Sequence, residues 1–267
     1  MDQNQFFALA DQVARETGVE SGHHQTYFHI HRSRLWKTGA HFALWDLRGK
    51  SVLDVGPFYS YVPFALREHS NEVTVVEGRS ESLDPLRPAY ARRQITFCTV
   101  DLSDIFLART PEQRRLPFAD GAFEVVNCWE TMEHFNFNPV GFVKEIHRIL
   151  KPGGQAFITV PNMAKLESRL HLLFGRSIRT PIDDYYQCQE ADEGRFLGFH
   201  WREYVLAELL ELFKRQSFRL ESAGHLQTFQ DRTTMNFGRK LKRAVGALAC
   251  ALVPSLSSIC CLRATRL

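Results

Sequence analysis

The stretch Ser51-Val-Leu-Asp-Val-Gly-Pro-Phe-Tyr-Ser60 decides how the rest of this 267-residue chain is read. Val52, Leu53 and Val55 form a short apolar run of the kind that a parallel sheet buries on both faces. Asp54 and Gly56 end the run, and an apolar helical pattern follows at once over 61–67. A strand that breaks at a glycine and re-enters as a helix aims backbone N–H groups and a helix N-terminus at a ligand, as dinucleotide-binding turns do. One glycine is generic by itself, and the segments that follow carry the assignment.

From residue 51 onward, strand-like and helix-like segments alternate. The pattern predicts strands over 51–55, 72–77, 95–100, 123–128 and 155–160. Helical patterns fall at 61–69, 82–92 and 140–150, with a polar stretch at 103–115. Such alternation predicts βαβ units and a mostly parallel sheet with helices on both faces. Ligands of these sheets sit at the carboxyl ends of the strands. Past the first strand stand Asp54 and Gly56, and past the second stands Glu77, placed to accept both hydroxyls of a ribose. Asp101 and Leu102 follow the third and are placed to meet an adenine amino group. Trp129-Glu-Thr-Met-Glu-His134 follows the fourth, and Pro161-Asn162 the fifth. Any one of these acids could simply terminate a strand. Acids at the ends of three successive strands point to a shared ligand.

Composition sets the outer bounds. An apolar fraction of 44% and a charged fraction of 24% are ordinary for a chain with a packed core. A net charge of +3 gives no ground for a nucleic-acid partner without a local basic patch, and the arginines at 87, 92, 93, 114 and 115 are scattered. The six cysteines, at 98, 128, 188, 250, 260 and 261, form no Cys-x-x-Cys pair. Cys98 and Cys128 fall in predicted strands, as small apolar residues do. Reduced thiols and an N-terminus without signal-peptide features predict a cytoplasmic protein. No apolar run reaches the roughly 20 residues of a membrane-spanning helix.

The motifs together resemble the class I S-adenosylmethionine-dependent methyltransferases. The residues that carry the resemblance are Val52-Leu-Asp-Val-Gly56, Val75-Val-Glu77, Asp101, and the segments 116–126, 130–134, 145–154 and 158–162, in that family's order and spacing. The segments 116–126 and 146–154 are similar to those of the small-molecule branch that includes the ubiquinone-type O-methyltransferases. The resemblance implies a Rossmann-like sheet of seven strands with the last antiparallel, and 218–223 and 258–264 are the natural sixth and seventh strands. It implies S-adenosyl-L-methionine as cofactor, held by Asp54, Gly56, Phe58, Glu77, Asp101, Leu102 and Trp129. It implies a small-molecule acceptor: a secondary metabolite, a surface sugar or a quinone-like lipid.

Outside the sheet the chain divides into an N-terminal helical cap, 1–48, and a transferase domain, 49–267. The cap carries an amphipathic pattern at 2–17, the histidines 23, 24, 29 and 31, and a helical pattern at 32–45. The histidines keep no fixed ligand spacing and read as polar surface or the mouth of a pocket. The segment 163–204 fits no sheet element. A long insertion on the ligand edge is usually a lid or substrate pocket, and Tyr185, Tyr186, Phe196 and Phe199 supply its aromatic side chains. His200-Trp-Arg-Glu-Tyr204 is similar to a motif that precedes a helix in related methyltransferases. The segment 238–253 is basic first and apolar afterwards. Its stripe of Leu241, Val245, Leu248 and Leu252 either packs on the domain as a connecting helix or lies on a membrane surface beside Arg239, Lys240, Lys242 and Arg243. The first arrangement is the expectation.

For methyl transfer to oxygen, a base must take the hydroxyl proton. Glu133, His134 and His200 are the candidates. Glu130, Glu133, His134 and His200 also resemble the divalent-cation site of small-RNA 2′-O-methyltransferases, where a cation would lower the pKa of a bound hydroxyl. The expectation without that resemblance is an enzyme with no metal. The first loop departs from the family's Asp-x-Gly-x-Gly-x-Gly, because Phe58 and Ser60 replace the second and third glycines. A phenylalanine there needs an allowed φ and room for its ring. Two readings of different class follow: an active transferase, and a transferase fold that binds a small molecule or partner without transfer.

Overall fold

Each strand of the central sheet sends alternate side chains to opposite faces, and both faces are apolar. Val52, Val75, Val125 and Phe157 enter one core, while Leu53, Val76, Val126 and Ile158 enter the other. The computed structural model describes residues 1–18, 23–78, 85–191, 199–229 and 237–267. It contains seven strands: β1 Ser51–Val55, β2 Glu72–Glu77, β3 Thr96–Thr99, β4 Phe123–Trp129, β5 Leu150–Pro161, β6 Phe218–Leu226 and β7 Ile259–Arg266. Their order is β3-β2-β1-β4-β5-β7-β6. Pairing is parallel from β3 through β5, and β7 runs antiparallel to both β5 and β6. This is the expected Rossmann-like sheet with an antiparallel last strand.

One face is covered by α1 Gln3–Thr17, α2 His23–His41, α3 Val62–Arg67 and α4 Arg87–Arg92. α1 is set by a capping box, in which the Asp2 and Gln5 side chains each accept the other's backbone N–H at 2.9 Å. Phe6, Leu9, Ala10 and Val13 then fall on one stripe and are buried. α2 ends earlier than the expected 45, because Trp45 folds back against the helix. A Cβ on Gly39 would lie 2.1 Å from its ring, and its indole N–H donates to the Trp36 carbonyl at 3.0 Å. The N-terminal helices thus share a core with β1, β2 and β4.

The opposite face carries α5 Leu102–Phe106, α6 Pro139–Ile149 and α9 Leu206–Lys214. α5 is what the polar stretch at 103–115 becomes, with a single 3₁₀ turn at Pro111–Gln113 after it. α6 starts at Asn138, whose side chain accepts from Val140 N–H at 3.0 Å, and buries Phe142, Val143, Ile146 and Ile149. Its Glu145 accepts from the Leu116 N–H at 2.8 Å and pairs with Arg148, which also donates to the Phe118 carbonyl at 2.8 Å. Two of the segments that carry the family resemblance, 116–126 and 145–154, are therefore pinned to each other. β5 begins at Leu150 rather than 155, taking the Lys151–Gly154 turn into the strand with a shift of register opposite β4.

The insertion contains α7 Leu166–Leu173 and α8 Ile182–Ala191. α10, Phe237–Leu252, joins β6 to β7. Here one expectation is corrected: its stripe of Leu241, Val245, Leu248 and Leu252 does not pack on the domain but is exposed along its length. No helix among the described residues is long and apolar enough to cross a membrane.

Asn162 ties these excursions to the sheet. It is buried, its amide donates to the Ser255 and Ser257 carbonyls at 2.9 and 2.8 Å, and its oxygen accepts from Ala164 N–H at 3.0 Å. Its backbone bridges to Tyr204. Asn162→Ala leaves these buried groups without partners, at a cost of roughly 2–4 kcal/mol. A thermal melt is expected to show a fall of roughly 5–10 °C; an unchanged midpoint would mean the edge is held by other contacts.

Candidate active site

Strand order reverses between β1 and β4, so the carboxyl-end crevice of the sheet opens there. Three polar groups meet in it. Asp54, 2% exposed, accepts from the Asn127 amide at 2.8 Å across the β1–β4 pair. Asp54 Oδ2, Asn127 Oδ1 and the Trp129 indole N–H are buried without a hydrogen-bond partner among the described residues. Buried polar groups are nearly always satisfied, so this crevice is made to receive a polar ligand or water. Burial pushes the Asp54 carboxyl up to about 7 against the pull of Asn127, and the charge of Glu77 adds to the rise.

Gly56 follows Asp54 at φ +64, with its N–H donating to the Val76 carbonyl at 2.8 Å. A Cβ there would lie 2.4 Å from Thr131 Cγ2, so the close approach of the β1 and β4 loops requires glycine. Phe58 takes φ +48, the left-handed conformation that a second glycine would supply. Its N–H donates to Glu77 Oε2 at 2.7 Å, while its ring stands edge-on to Tyr59 at 4.9 Å and is partly in solvent. The anomaly seen in the sequence is thus met by strain of about 1 kcal/mol and a ring kept off the backbone turn. Ser60 accepts from the Val62 N–H at 3.1 Å through its hydroxyl, at the start of α3. The Glu77 carboxyl is pushed up to about 7 by burial, against the pull of the Phe58 and Gly78 N–H groups. Asp101 caps α5, its Oδ1 accepting from Ser103 and Asp104 N–H at 2.8 and 3.3 Å. Leu102 is half-buried beside the second core. Trp129 is buried, with its ring stacked on Phe42 of the first core.

The loop after β4 divides its two glutamates. Glu130, at φ +52, turns to Arg34 of α2 and pairs with it at 3.0 Å. Burial raises its carboxyl, and Arg34 opposes the rise. Glu133 is 1% exposed, and its Oε2 has no hydrogen-bond partner among the described residues. Burial, and then the charge of Glu130, push its carboxyl well above the usual range.

Both histidines are oriented through Nδ1. His134 Nδ1 lies 3.0 Å from the Phe199 carbonyl, which can only accept, so Nδ1 carries the proton and Nε2 keeps a lone pair. Burial, then His200, lower its pKa to about 4 and leave it neutral at pH 7. His200 Nδ1 lies 2.8 Å from Glu203 Oε1. Burial works to raise Glu203, but the His200 bond and Lys165 outweigh it and keep the carboxylate ionised. His200 therefore also donates from Nδ1. Glu133, His134 and His200 each offer one ligand atom, all within 4.8 Å of one another. Glu130, expected in the same set, is absent from that group. The Glu133 carbonyl accepts from Trp201 N–H at 2.8 Å, fastening the lid to the β4 loop.

His200 opens on a cavity of about 410 Å³, lined also by Met163, Ile178, Pro181, Asp184 and Phe199 among others. Of the aromatic lid residues, Tyr185 stacks on Phe199 at 4.8 Å, Tyr186 is exposed, and Phe196 lies outside the described residues. His31 is buried, and burial, then Arg34, lower its pKa to about 3. The side chains of His23 and His24 lie outside the described residues. Thr131 and Glu203 lay inside the quoted motifs with no role assigned to them, while Arg34 had no local signal in the sequence. Asn127 had one, because it interrupts an apolar strand in register with Asp54.

The sheet, its β1–β4 crevice and the acids along one edge define a class I S-adenosylmethionine-dependent methyltransferase fold. A family model described as "Methyltransferase domain" matches residues 27–234, and the chain belongs to that family. A ubiquinone biosynthesis O-methyltransferase of Pseudomonas paraeruginosa is 33% identical over 116 residues, which cover 43% of this chain and 46% of that one. The chain thus spans less than half the length of the curated relatives it matches. Among solved structures, a chain from the complex of the Haloferax volcanii Trm112 methyltransferase activator with a methyltransferase superposes with TM-score 0.58 at 18% identity, covering 97% of both chains. An S-adenosylmethionine-dependent methyltransferase of Mesorhizobium loti superposes with TM-score 0.57 at 15% identity, covering 86% of this chain and 98% of that one. The cofactor of this class is S-adenosyl-L-methionine, and the unpartnered polar groups of the crevice and the glycine-bounded turn at Gly56 fit it.

Two outcomes follow. Asp54 is more readily protonated folded than unfolded, so the stability it contributes falls as pH rises from about 4 to about 7. Asp54→Asn keeps an acceptor for Asn127 and is expected to flatten that fall in melts across the range. Phe58→Gly relieves a left-handed φ while keeping the N–H to Glu77, so calorimetry is expected to show cofactor binding at least as tight as in the parent. Weaker binding would assign the ring a place in the site.

Proposed function

We propose that this protein transfers a methyl group from S-adenosyl-L-methionine to a hydroxyl of a small-molecule or lipid-linked acceptor. The observation that carries this reading is the pair of imidazoles, His134 and His200, each held through Nδ1 by a fixed acceptor so that Nε2 is the position left to meet an acceptor. His200 lines an acceptor-sized cavity, and the His134 ring lies 4.9 Å from the His200 ring. The name of the Pseudomonas relative, an O-methyltransferase, supports an oxygen acceptor.

The cofactor supplies an electrophilic methyl group on a sulfonium. The chain's own contribution is position and proton management. Glu77 at the end of β2 is placed for the ribose, and Asp101 with Leu102 for the adenine. Asp54, Asn127 and Trp129 offer the β1–β4 crevice its polar groups. The acceptor hydroxyl would be held in the lid cavity, and its proton would pass to Nε2 of His134 or His200 as oxygen bonds to the methyl carbon and the carbon–sulfur bond breaks, its electron pair leaving on sulfur. Phe199 and Glu203 hold the imidazoles in the tautomer that this requires. The left-handed Phe58 supports a working loop over a degenerate one.

The grouping of Glu133, His134 and His200 favours a second reading, in which a divalent cation rests on these three side chains and polarises the same hydroxyl. Nδ1–H donation to a carbonyl and a carboxylate is the support that ligating histidines usually have. The two readings share an acceptor position and differ in what removes the proton.

The test is transfer of labelled methyl to a panel of phenolic and sugar hydroxyls, with cofactor binding followed by calorimetry. His134→Ala and His200→Ala are each expected to lower turnover about 100-fold or more, with cofactor affinity unchanged. Activity that survives a strong chelator supports the base; loss on chelation with rescue by Mg²⁺ or Mn²⁺ supports the cation. Failure to bind either S-adenosylmethionine or S-adenosylhomocysteine at millimolar concentration would overturn the enzyme reading altogether.

A further inference from the structure

α10 inverts the usual rule for a helix on a globular domain. Leu241, Val245, Leu248 and Leu252 lie in one line along it, and they are 54, 59, 63 and 74% exposed. The side turned to the protein is made of small residues, with Cys250 buried and Gly246, Ala247 and Ala249 half-buried. The Arg243 guanidinium rests over the Phe229 ring at 4.3 Å. The larger apolar residues therefore face outward by construction. At about 100° per residue, Lys240 and Lys242 stand on either side of the stripe, and both are exposed. The helix contains no acid anywhere in 237–252.

An apolar stripe flanked by two ammonium groups and free of carboxylates is complementary to an anionic lipid surface. The stems of the lysines lie along the apolar band while their charged ends reach the head groups. A second copy of the same face would bring like charges together with no acid on the helix to pair them. A second apolar element adjoins. The last turn of α7 exposes Leu170, Leu172, Leu173 and Phe174. Arg169 of the same helix donates to Ser255 Oγ at 3.1 Å, three residues past the end of α10. Both elements leave the sheet at its carboxyl edge, and the acceptor cavity begins at Met163.

We propose that α10, together with the last turn of α7, docks this protein on an anionic membrane surface. Docking there would present the lid cavity to an amphiphilic acceptor; that clause rests on the function proposed above, whereas the docking itself does not.

The test is flotation with vesicles of phosphatidylcholine alone and of phosphatidylcholine containing a third phosphatidylglycerol, without methyl donor or acceptor. The protein is expected to float with the anionic vesicles, to stay behind with the neutral ones, and to release as salt is raised. The double variant Leu248→Glu/Leu252→Glu is expected to lose binding at least tenfold, and Lys240→Gln and Lys242→Gln about fivefold each. Cofactor affinity, measured by calorimetry, should stay unchanged in all of them and shows that they fold. Failure of the parent to float with anionic vesicles, or equal binding by the Leu248→Glu/Leu252→Glu protein, would overturn the proposal. So would a dimer in light scattering that this double variant splits while vesicle binding is absent, which would give the face to a second copy. Because no transfer is measured, failure of the methyltransferase reading leaves the flotation result standing.

Discussion

The contact between Gly56 and Thr131 is the constraint on which the site depends. It closes the β1 turn on the β4 loop where the strand order reverses, at a distance that any Cβ would violate. Thr131 completes the closure with one hydroxyl proton shared among the Val55, Gly56 and Trp129 carbonyls, at 3.2, 3.3 and 3.0 Å. With the turns so close, Asp54 and Asn127 are forced into a shared buried pocket one turn below, and Glu77 is left to receive the Phe58 N–H. The raised carboxyl groups of Asp54 and Glu77 follow from that crowding. Binding of a ligand that donates hydrogen bonds would return them toward ionisation, so the cost of burying these carboxyl groups favours a polar, hydrogen-bond-donating ligand.

The same β4 loop commits its two glutamates to different tasks. Glu130 is drawn toward Arg34, which anchors α2 over the ligand edge and makes the N-terminal helices part of the site's wall. Glu133 goes the other way, beneath the two histidines, and its backbone carbonyl holds the lid at Trp201. The stretch 130–134, which ends in a 3₁₀ turn at Met132–His134, thus joins the β1–β4 crevice, the N-terminal helices and the insertion after β5. Its left-handed Glu130 marks the place where the chain reverses to serve both sides.

The sheet was legible because its signal is local and repeated. Two of the predicted strands, 51–55 and 72–77, match the observed limits, and apolar alternation with acids at strand ends is enough to order such a pattern. The polar tips of β1 and β2 were legible for the same reason. What escaped were contacts made across the sequence. Arg34 meets Glu130 from 96 residues away, and the Phe199 carbonyl meets His134 from 65. Phe58 was misleading in the opposite sense. Its identity breaks the motif, yet its backbone keeps the conformation the motif requires, and sequence alone cannot separate the two. α10 was misread because an amphipathic stripe has no sign: periodicity locates the face, and only packing says whether protein or solvent lies against it.

That division also explains how the fold separates what is fixed from what varies. The donor half of the edge, from β2 through β1 to β4, is built from strand ends in parallel register, and a residue inserted there would displace every neighbour. The acceptor half is built from excursions after β5 and between β6 and β7. These meet the sheet at few points, chiefly Asn162 and the Glu133 carbonyl. Excursions so attached can change length and surface without disturbing the crevice. The two histidines to which we assign proton removal come one from each half, His134 from the loop after β4 and His200 from the insertion after β5. On the function proposed above, a misplaced insertion would cost the reaction its second imidazole, even with the cofactor crevice intact. On that assignment, acceptor binding and proton removal would be coupled through that one side chain, and the segment that selects the substrate would also complete the chemistry.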